Sequence, residues 1–140
     1  MRPSKKDYYM DIAKAVSARS TCLRRHYGAV IVKDDVIIST GYNGSARGEP
    51  NCCDVGTCWR KEHNIPHGEQ YEKCVAAHAE ANAIIFASYP SCRGATLYLY
   101  GYDCENDEEI DAKPCLNCQK LIRNACIERV VSRDSEKYVF

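Results

Sequence analysis

The feature that most constrains this chain is a set of metal-competent side chains split between two distant segments. His78 and Glu80 open the apolar run Ala79-Glu-Ala-Asn-Ala-Ile-Ile-Phe86, and Cys115 and Cys118 follow Pro114 downstream. Proline suits the first turn of a helix, so the Cys115-x-x-Cys118 pair falls where a helix begins and both sulfurs can turn toward one point. One imidazole and two thiolates make three ligands for an ion such as zinc. Three protein ligands leave a fourth position open, which is the catalytic rather than the structural pattern. A fold that uses them must bring two helix N-termini together across the residues between. At those termini the unpaired amides and the positive dipole end favour thiolate over thiol.

With 140 residues the chain reads as a single domain over 1–140. Lys plus Arg and Asp plus Glu number 19 each, so the net charge announces no long polyanion. Nucleic acid is therefore disfavoured as a partner, although a small phosphate can still be held locally. The N-terminus, Met1-Arg-Pro-Ser-Lys-Lys, is polar and lacks an apolar leader, and no apolar run is long enough to span a bilayer. The expectation is a cytoplasmic protein without membrane attachment. In that setting ten cysteines read better as metal ligands than as disulfides.

Periodicity orders the rest. Tyr8, Tyr9, Ile12, Ala13 and Val16 recur at helical spacing behind a Ser4 cap, which predicts a helix over about 5–18. Gly28–Lys33 and Val36–Thr40 are β-branched runs either side of Asp34-Asp35 and predict a hairpin. Gly41-Tyr-Asn-Gly44 then reads as a turn. Residues 45–74 have no clear period but hold Cys52, Cys53, Cys58, His63, His67 and Cys74, so they read as a loop pinned by its cysteines. A helix over about 77–89, a strand over 95–100, a helix over about 115–124 and a strand over 127–131 complete the pattern, with a crossover between the two strands.

His78-Ala-Glu80 with Pro114-Cys115-x-x-Cys118 resembles the signature of the cytidine deaminase superfamily. Gly28-Ala-Val-Ile-Val, Gly41-Tyr-Asn-Gly44, Cys52 and Gly94-Ala-Thr-Leu-Tyr98 make the resemblance closer to its deoxycytidylate (dCMP) deaminases, over nearly the whole chain. The resemblance implies an α/β fold of the three-layer αβα cytidine deaminase-like type, with a mainly five-stranded mixed sheet. It implies zinc-dependent conversion of dCMP to dUMP, with Zn2+ on His78, Cys115 and Cys118 and Glu80 as the proton shuttle between water, N3 and the departing amine. Asn43 falls where the family binds the substrate's sugar. Ser20 and Arg25, within the basic stretch Arg19, Ser20, Arg24 and Arg25, are the candidates for the phosphate. Gly41, Tyr42 and Gly44 resemble the family's regulatory nucleotide site, which implies a homo-oligomer, a hexamer, activated by dCTP and inhibited by dTTP with Mg2+. Cys22 and Cys52 match positions that hold a second, structural zinc in some members. Cys58 and Cys74 are the choice for its other ligands, with His63, His67 and Cys53 in reserve.

The chain departs from the family between Tyr100 and Lys113, where an acidic insertion carries Asp103, Glu105, Asp107, Glu108, Glu109 and Asp111. Turned inward, these groups would repel a phosphate. The expectation is a solvated surface hairpin directed away from the pocket. Competing readings are a deaminase of another cytosine nucleoside or nucleotide, and a non-catalytic zinc-stabilised accessory protein, for which Glu80 would have no use.

Overall fold

The computed structural model describes residues 1–140. Helix α1 (Lys5–Ser17) begins where predicted, with Ser4 Oγ accepting a hydrogen bond from the Asp7 amide at 3.1 Å. Strands β1 (Arg25–Lys33) and β2 (Val36–Tyr42) form the expected antiparallel hairpin. Its turn residues Asp34 and Asp35 both have positive φ, 52° and 61°, as a tight two-residue hairpin requires. A short strand β3 (Gly44–Ser45) leads into the cysteine-bearing loop, which contains α2 (Cys52–Val55), α3 (Trp59–Glu62) and a 3-10 turn at Tyr71–Lys73. Strand β4 (Ala76–Ala77) closes that loop by pairing with β3. Then follow α4 (Ala79–Phe86), α5 (Tyr89–Cys92), β5 (Thr96–Asp103), β6 (Glu108–Ile110), α6 (Leu116–Asn124), β7 (Arg129–Val131) and β8 (Glu136–Tyr138).

The main sheet runs β2-β1-β5-β7-β8, with only β5 and β7 parallel. This is the mixed five-stranded sheet expected, and β6 adds a sixth strand along the outer half of β5. Alternation sorts the side chains. Ala29, Ile31, Leu97 and Leu99 face α4 and α6 and join Ala79, Ala83 and Ile122 in one buried cluster. Val30, Val32, Tyr98 and Tyr100 face the other way, against Tyr9 and Ala13 of α1. Two glycines set the thickness of these layers. A Cβ on Gly28 would lie 2.0 Å from the Ala13 carbonyl oxygen, and one on Gly41 would lie 2.5 Å from the Ala79 carbonyl oxygen. Each helix thus rests directly on strand backbone, α1 on one face and α4 on the other.

Several boundaries differ from the sequence reading. The Gly41–Gly44 segment is not a turn: it continues extended from β2 into β3 because the Asn43 side chain is tied into neighbouring backbone. The helix expected over 77–89 ends at Phe86, and Pro90 sits in a separate short helix capped by Ser88. Strand β5 runs on to Asp103 instead of ending at Tyr100, because β1 and β6 pair with it there. Strand β8 has exposed residues throughout and so carries no apolar alternation to announce it. No helix is long and apolar enough to cross a membrane.

Candidate active site

The split ligand set is united by the two helices on the inner face of the sheet. His78 is the N-cap residue of α4 and Cys115 that of α6. Cys115 Sγ accepts a hydrogen bond from the Cys118 amide at 3.4 Å, so the first turn of α6 presents both sulfurs together. His78 Nδ1 lies 3.5 Å from Cys115 Sγ and 3.4 Å from Cys118 Sγ. Metal–nitrogen and metal–sulfur bonds of about 2.1 and 2.3 Å at a tetrahedral angle place the two donors about 3.6 Å apart. The three side chains therefore fit one zinc ion. They are the one group of three or more His, Cys, Asp or Glu side chains whose ligand atoms all lie within 4.8 Å. Burial lowers the His78 pKa, with Arg60 adding to the effect, and so favours the neutral, ligating imidazole. Burial, followed by the Glu80 charge, pushes the Cys118 thiol up, an effect that a cation between the ligands reverses.

Glu80 sits in the first turn of α4, 5 % exposed, with its carboxyl against Cys118. Burial pushes its pKa up, opposed by hydrogen bonds from its own amide and from Cys118. It lines, with His78 and Cys115, a cavity of about 800 Å³. A nucleotide fits a space of this size.

Asn43 lines the same cavity and is 6 % exposed. Its Oδ1 accepts from Ser20 Oγ at 2.6 Å and from the Tyr27 amide at 2.8 Å, and its Nδ2 donates to the Arg25 carbonyl at 2.9 Å. One Nδ2 hydrogen remains uncommitted. Ser20 thus holds Asn43 in place and does not itself line the cavity. The Arg25 side chain does line it, with Nη1 3.3 Å from Tyr27 Oη and 3.2 Å from His67 Nε2. Gly41 and Gly44 are buried, and both have packing duties, against α4 and Thr21 respectively. Cys22, Cys52, Cys58 and Cys74 are neighbours: burial, then Cys22, Cys74 and Cys58, pushes the Cys52 thiol up. Their sulfurs do not reach the spacing of the first set.

Three features of the cavity were not anticipated. Arg60, 6 % exposed, donates to the carbonyls of Glu69 and Pro66 and stacks 4.5 Å over the Tyr71 ring. Tyr71 in turn stands edge-on to His78, with ring centroids 5.1 Å apart. The third is the acidic hairpin, whose base faces the pocket although Asp107, Glu108 and Glu109 do not. Asp103, Glu105 and Asp111 all line the cavity. Register explains this: Asp103 is the cross-strand partner of Arg25, so both project from the sheet face that carries Tyr27 and the inner core. Their charges are offset locally, Asp103 by Arg25 at 3.8 Å and Glu105 by Arg24 at 3.2 Å and Lys61 at 3.8 Å. Alternation could have located Asp103 had the strand's end been placed correctly, but Arg60 lies in a stretch without period.

Comparison with known proteins agrees with this arrangement. The family model for the cytidine and deoxycytidylate deaminase zinc-binding region matches residues 3–133. The deoxycytidylate deaminase of Mycobacterium phage D29 is 38% identical over 135 residues, covering 93% of this chain and 94% of the phage protein. The Schizosaccharomyces pombe deoxycytidylate deaminase is 35% identical over 134 residues, covering 96% of this chain but only 38% of the yeast protein. Among solved structures, the dCMP deaminase of cyanophage S-TIM5 in complex with dCMP and dUMP superimposes with a TM-score of 0.62 at 27% identity, covering 93% of this chain and 81% of the phage chain.

Proposed function

Because the chain belongs to the cytidine and deoxycytidylate deaminase family, we propose that it hydrolyses dCMP to dUMP and ammonia, with the cavity around His78 and Glu80 as its active site. The observation that carries this reading is the convergence of His78, Cys115 and Cys118 beside a buried carboxyl that is not one of the ligands. His78 and the thiolates of Cys115 and Cys118 would hold the zinc ion, which when bound would supply Lewis-acid activation of the nucleophile at neutral pH. Glu80 takes a proton from the attacking water and delivers it to N3 of the cytosine. Once the C4–O bond has formed, Glu80 takes the second water proton from the new C4 hydroxyl and passes it to the amino group as the C4–N bond breaks, so that water and dCMP give dUMP and ammonia. Low exposure of Glu80 keeps bulk water from competing for that proton. Asn43, rigid on three hydrogen bonds, offers its free Nδ2 hydrogen to the sugar, and Arg25 faces the phosphate.

Ammonia release from dCMP by zinc-loaded protein tests the reading, with deoxycytidine in parallel. Release from dCMP is the expected result, and silence on dCMP with release from deoxycytidine would move the assignment to the nucleoside. Glu80→Gln should lower turnover by about 10²–10⁴-fold while zinc stays bound. An unchanged function in that variant would instead favour the accessory-protein reading.

Two finer assignments belong to the same proposal. A structural zinc on Cys22, Cys52, Cys58 and Cys74 is supported by the mutual proximity of these thiols, and metal analysis should return two zinc ions per chain. Control by dCTP and dTTP with Mg2+ at Gly41, Tyr42 and Gly44 of a hexamer is supported by the resemblance of that segment. Rates measured with each effector, and the mass in solution, test it.

A further inference from the structure

The acidic hairpin between β5 and β6 supplies a wall of the cavity that the reaction itself does not use. Asp103, 6 % exposed, cannot swing aside. Its Oδ1 accepts from the Glu105 amide at 2.9 Å and the Asn106 amide at 3.2 Å, and its Oδ2 accepts from Asn106 Nδ2 at 3.0 Å. The carboxylate is thus fixed by its own hairpin, and Arg25 comes no nearer than 3.8 Å. At that distance the charge of Arg25 is offset while its Nη2 donors stay uncommitted. The neighbouring Arg24 repeats the arrangement. Its Nε donates to Glu105 Oε1 at 3.2 Å, and its Nη1 is buried without a partner. Arg24, Arg25 and the exposed Lys61 are thus set against Asp103 and Glu105, which leaves Arg25 donors free and little surplus positive charge.

Building on the dCMP reading, we infer that Asp103 and Glu105 are specificity-determining residues that fix how much negative charge the site accepts on the 5′ side of its substrate. One phosphoryl group takes up the spare donors of Arg25 and is attracted by the charge of the neighbouring Arg24. A second phosphoryl group brings further charge toward two carboxylates, one of which is immobile, and is turned away. Asp103 acts by its charge on the 5′ side of the substrate, touches no reacting atom and is not a catalytic residue.

The test compares ammonia release from dCMP, dCDP and deoxycytidine by zinc-loaded wild type, Asp103→Asn and Glu105→Gln. Asparagine at 103 keeps an acceptor for the hairpin amides, and Glu105 is half-exposed, so Glu105→Gln carries the test if Asp103→Asn fails to fold. The dCDP to dCMP ratio of kcat/KM should rise about tenfold in Asp103→Asn, the scale of one unit charge several ångströms away at an intermediate dielectric, and about threefold in Glu105→Gln. Turnover of deoxycytidine should stay within about twofold of wild type, because it has no charge for the hairpin to sense. KM for dCMP should become more salt-dependent in both variants, a readout that loosening of the hairpin alone would not move. Ratios within about twofold of wild type in both folded variants would overturn the inference and leave the dCMP assignment standing. A wild type silent on dCMP would withdraw both.

Discussion

The two thiol sets of this molecule are built on opposite plans. His78, Cys115 and Cys118 stand on the N-terminal turns of α4 and α6, whose other ends are anchored in the buried cluster of Ala83, Leu97, Leu99 and Ile122. Their donors are in place because helix packing puts them there. Cys52, Cys58 and Cys74 instead lie on or beside a loop of four-residue helices and a 3-10 turn, tied to the segment of Cys22 before β1 by contacts such as the Cys53 amide to the Thr21 carbonyl at 3.0 Å. Few apolar side chains hold that loop. The first set is organised by the fold, whereas the second, on the proposed reading, would need an ion to help organise it.

The largest expected effect comes from breaking the framed set. Cys118→Ser should remove one zinc per chain and lower turnover at least about 100-fold, since even the partners of metal ligands cost that much when lost. The global fold should survive, because the helices are held by the core and not by the ion; circular dichroism and metal analysis on the same sample check both halves. A Cys118→Ser protein that unfolds would show that the framed centre is structural as well.

Next come the two glycines, which separate framing from mere stability. Gly28 and Gly41 each leave no room for a Cβ, but Gly28 meets α1 and Gly41 meets α4, the helix that carries His78 and Glu80. Both Ala variants should lose about 1–3 kcal/mol or more by overpacking. Only Gly41→Ala should also displace the reacting groups, and a shift of about 1 Å is worth about 100-fold in rate. Denaturant melts and kcat at a temperature where both variants are folded make the comparison. Equal activities would mean that α4 is positioned by something other than this contact.

Cys58→Ser probes the other plan. It should remove one zinc, leave turnover within about threefold of wild type, and lower stability by about 2–3 kcal/mol, of the order of a lost cross-link over a loop of this kind. Proteolysis within 45–74 should accelerate, and an excess of chelator should have the same effect on wild type.

These plans also explain what the sequence disclosed. Helix α1, the β1–β2 hairpin and the two ligand-bearing helices were legible because their apolar spacing and caps are local, as with Ser4 on the Asp7 amide. The His78, Cys115 and Cys118 cluster was legible because its donors occupy fixed places on helix termini. Arg60 and Tyr71 were not, since what orients them is a chain of polar contacts to Glu69, Pro66 and His78 that no period encodes. Asp103 was misplaced for a different reason. An acidic run reads as solvated surface, and only the pairing of Arg25 with Asp103 turns the first of its carboxylates inward.

The smallest effect tests the junction between the plans. Ser20 Oγ donates to Asn43 Oδ1 and accepts from the Cys22 amide at 3.4 Å, and the Thr21 amide donates to the Asn43 carbonyl at 3.3 Å. One short segment therefore braces a cavity residue on one side and leads into the loop thiols on the other. In Ser20→Ala, Asn43 Oδ1 keeps the Tyr27 amide and only the long bond from the Cys22 amide is lost outright, so the cost should be about 1 kcal/mol. If the junction only braces Asn43, KM for dCMP should rise a few-fold with zinc content unchanged. If it also aligns Cys22, the second zinc should exchange faster with a chelator while the first does not. Observing the latter would mean that the loop centre is partly framed after all, through Asn43, and that the two plans meet at this residue.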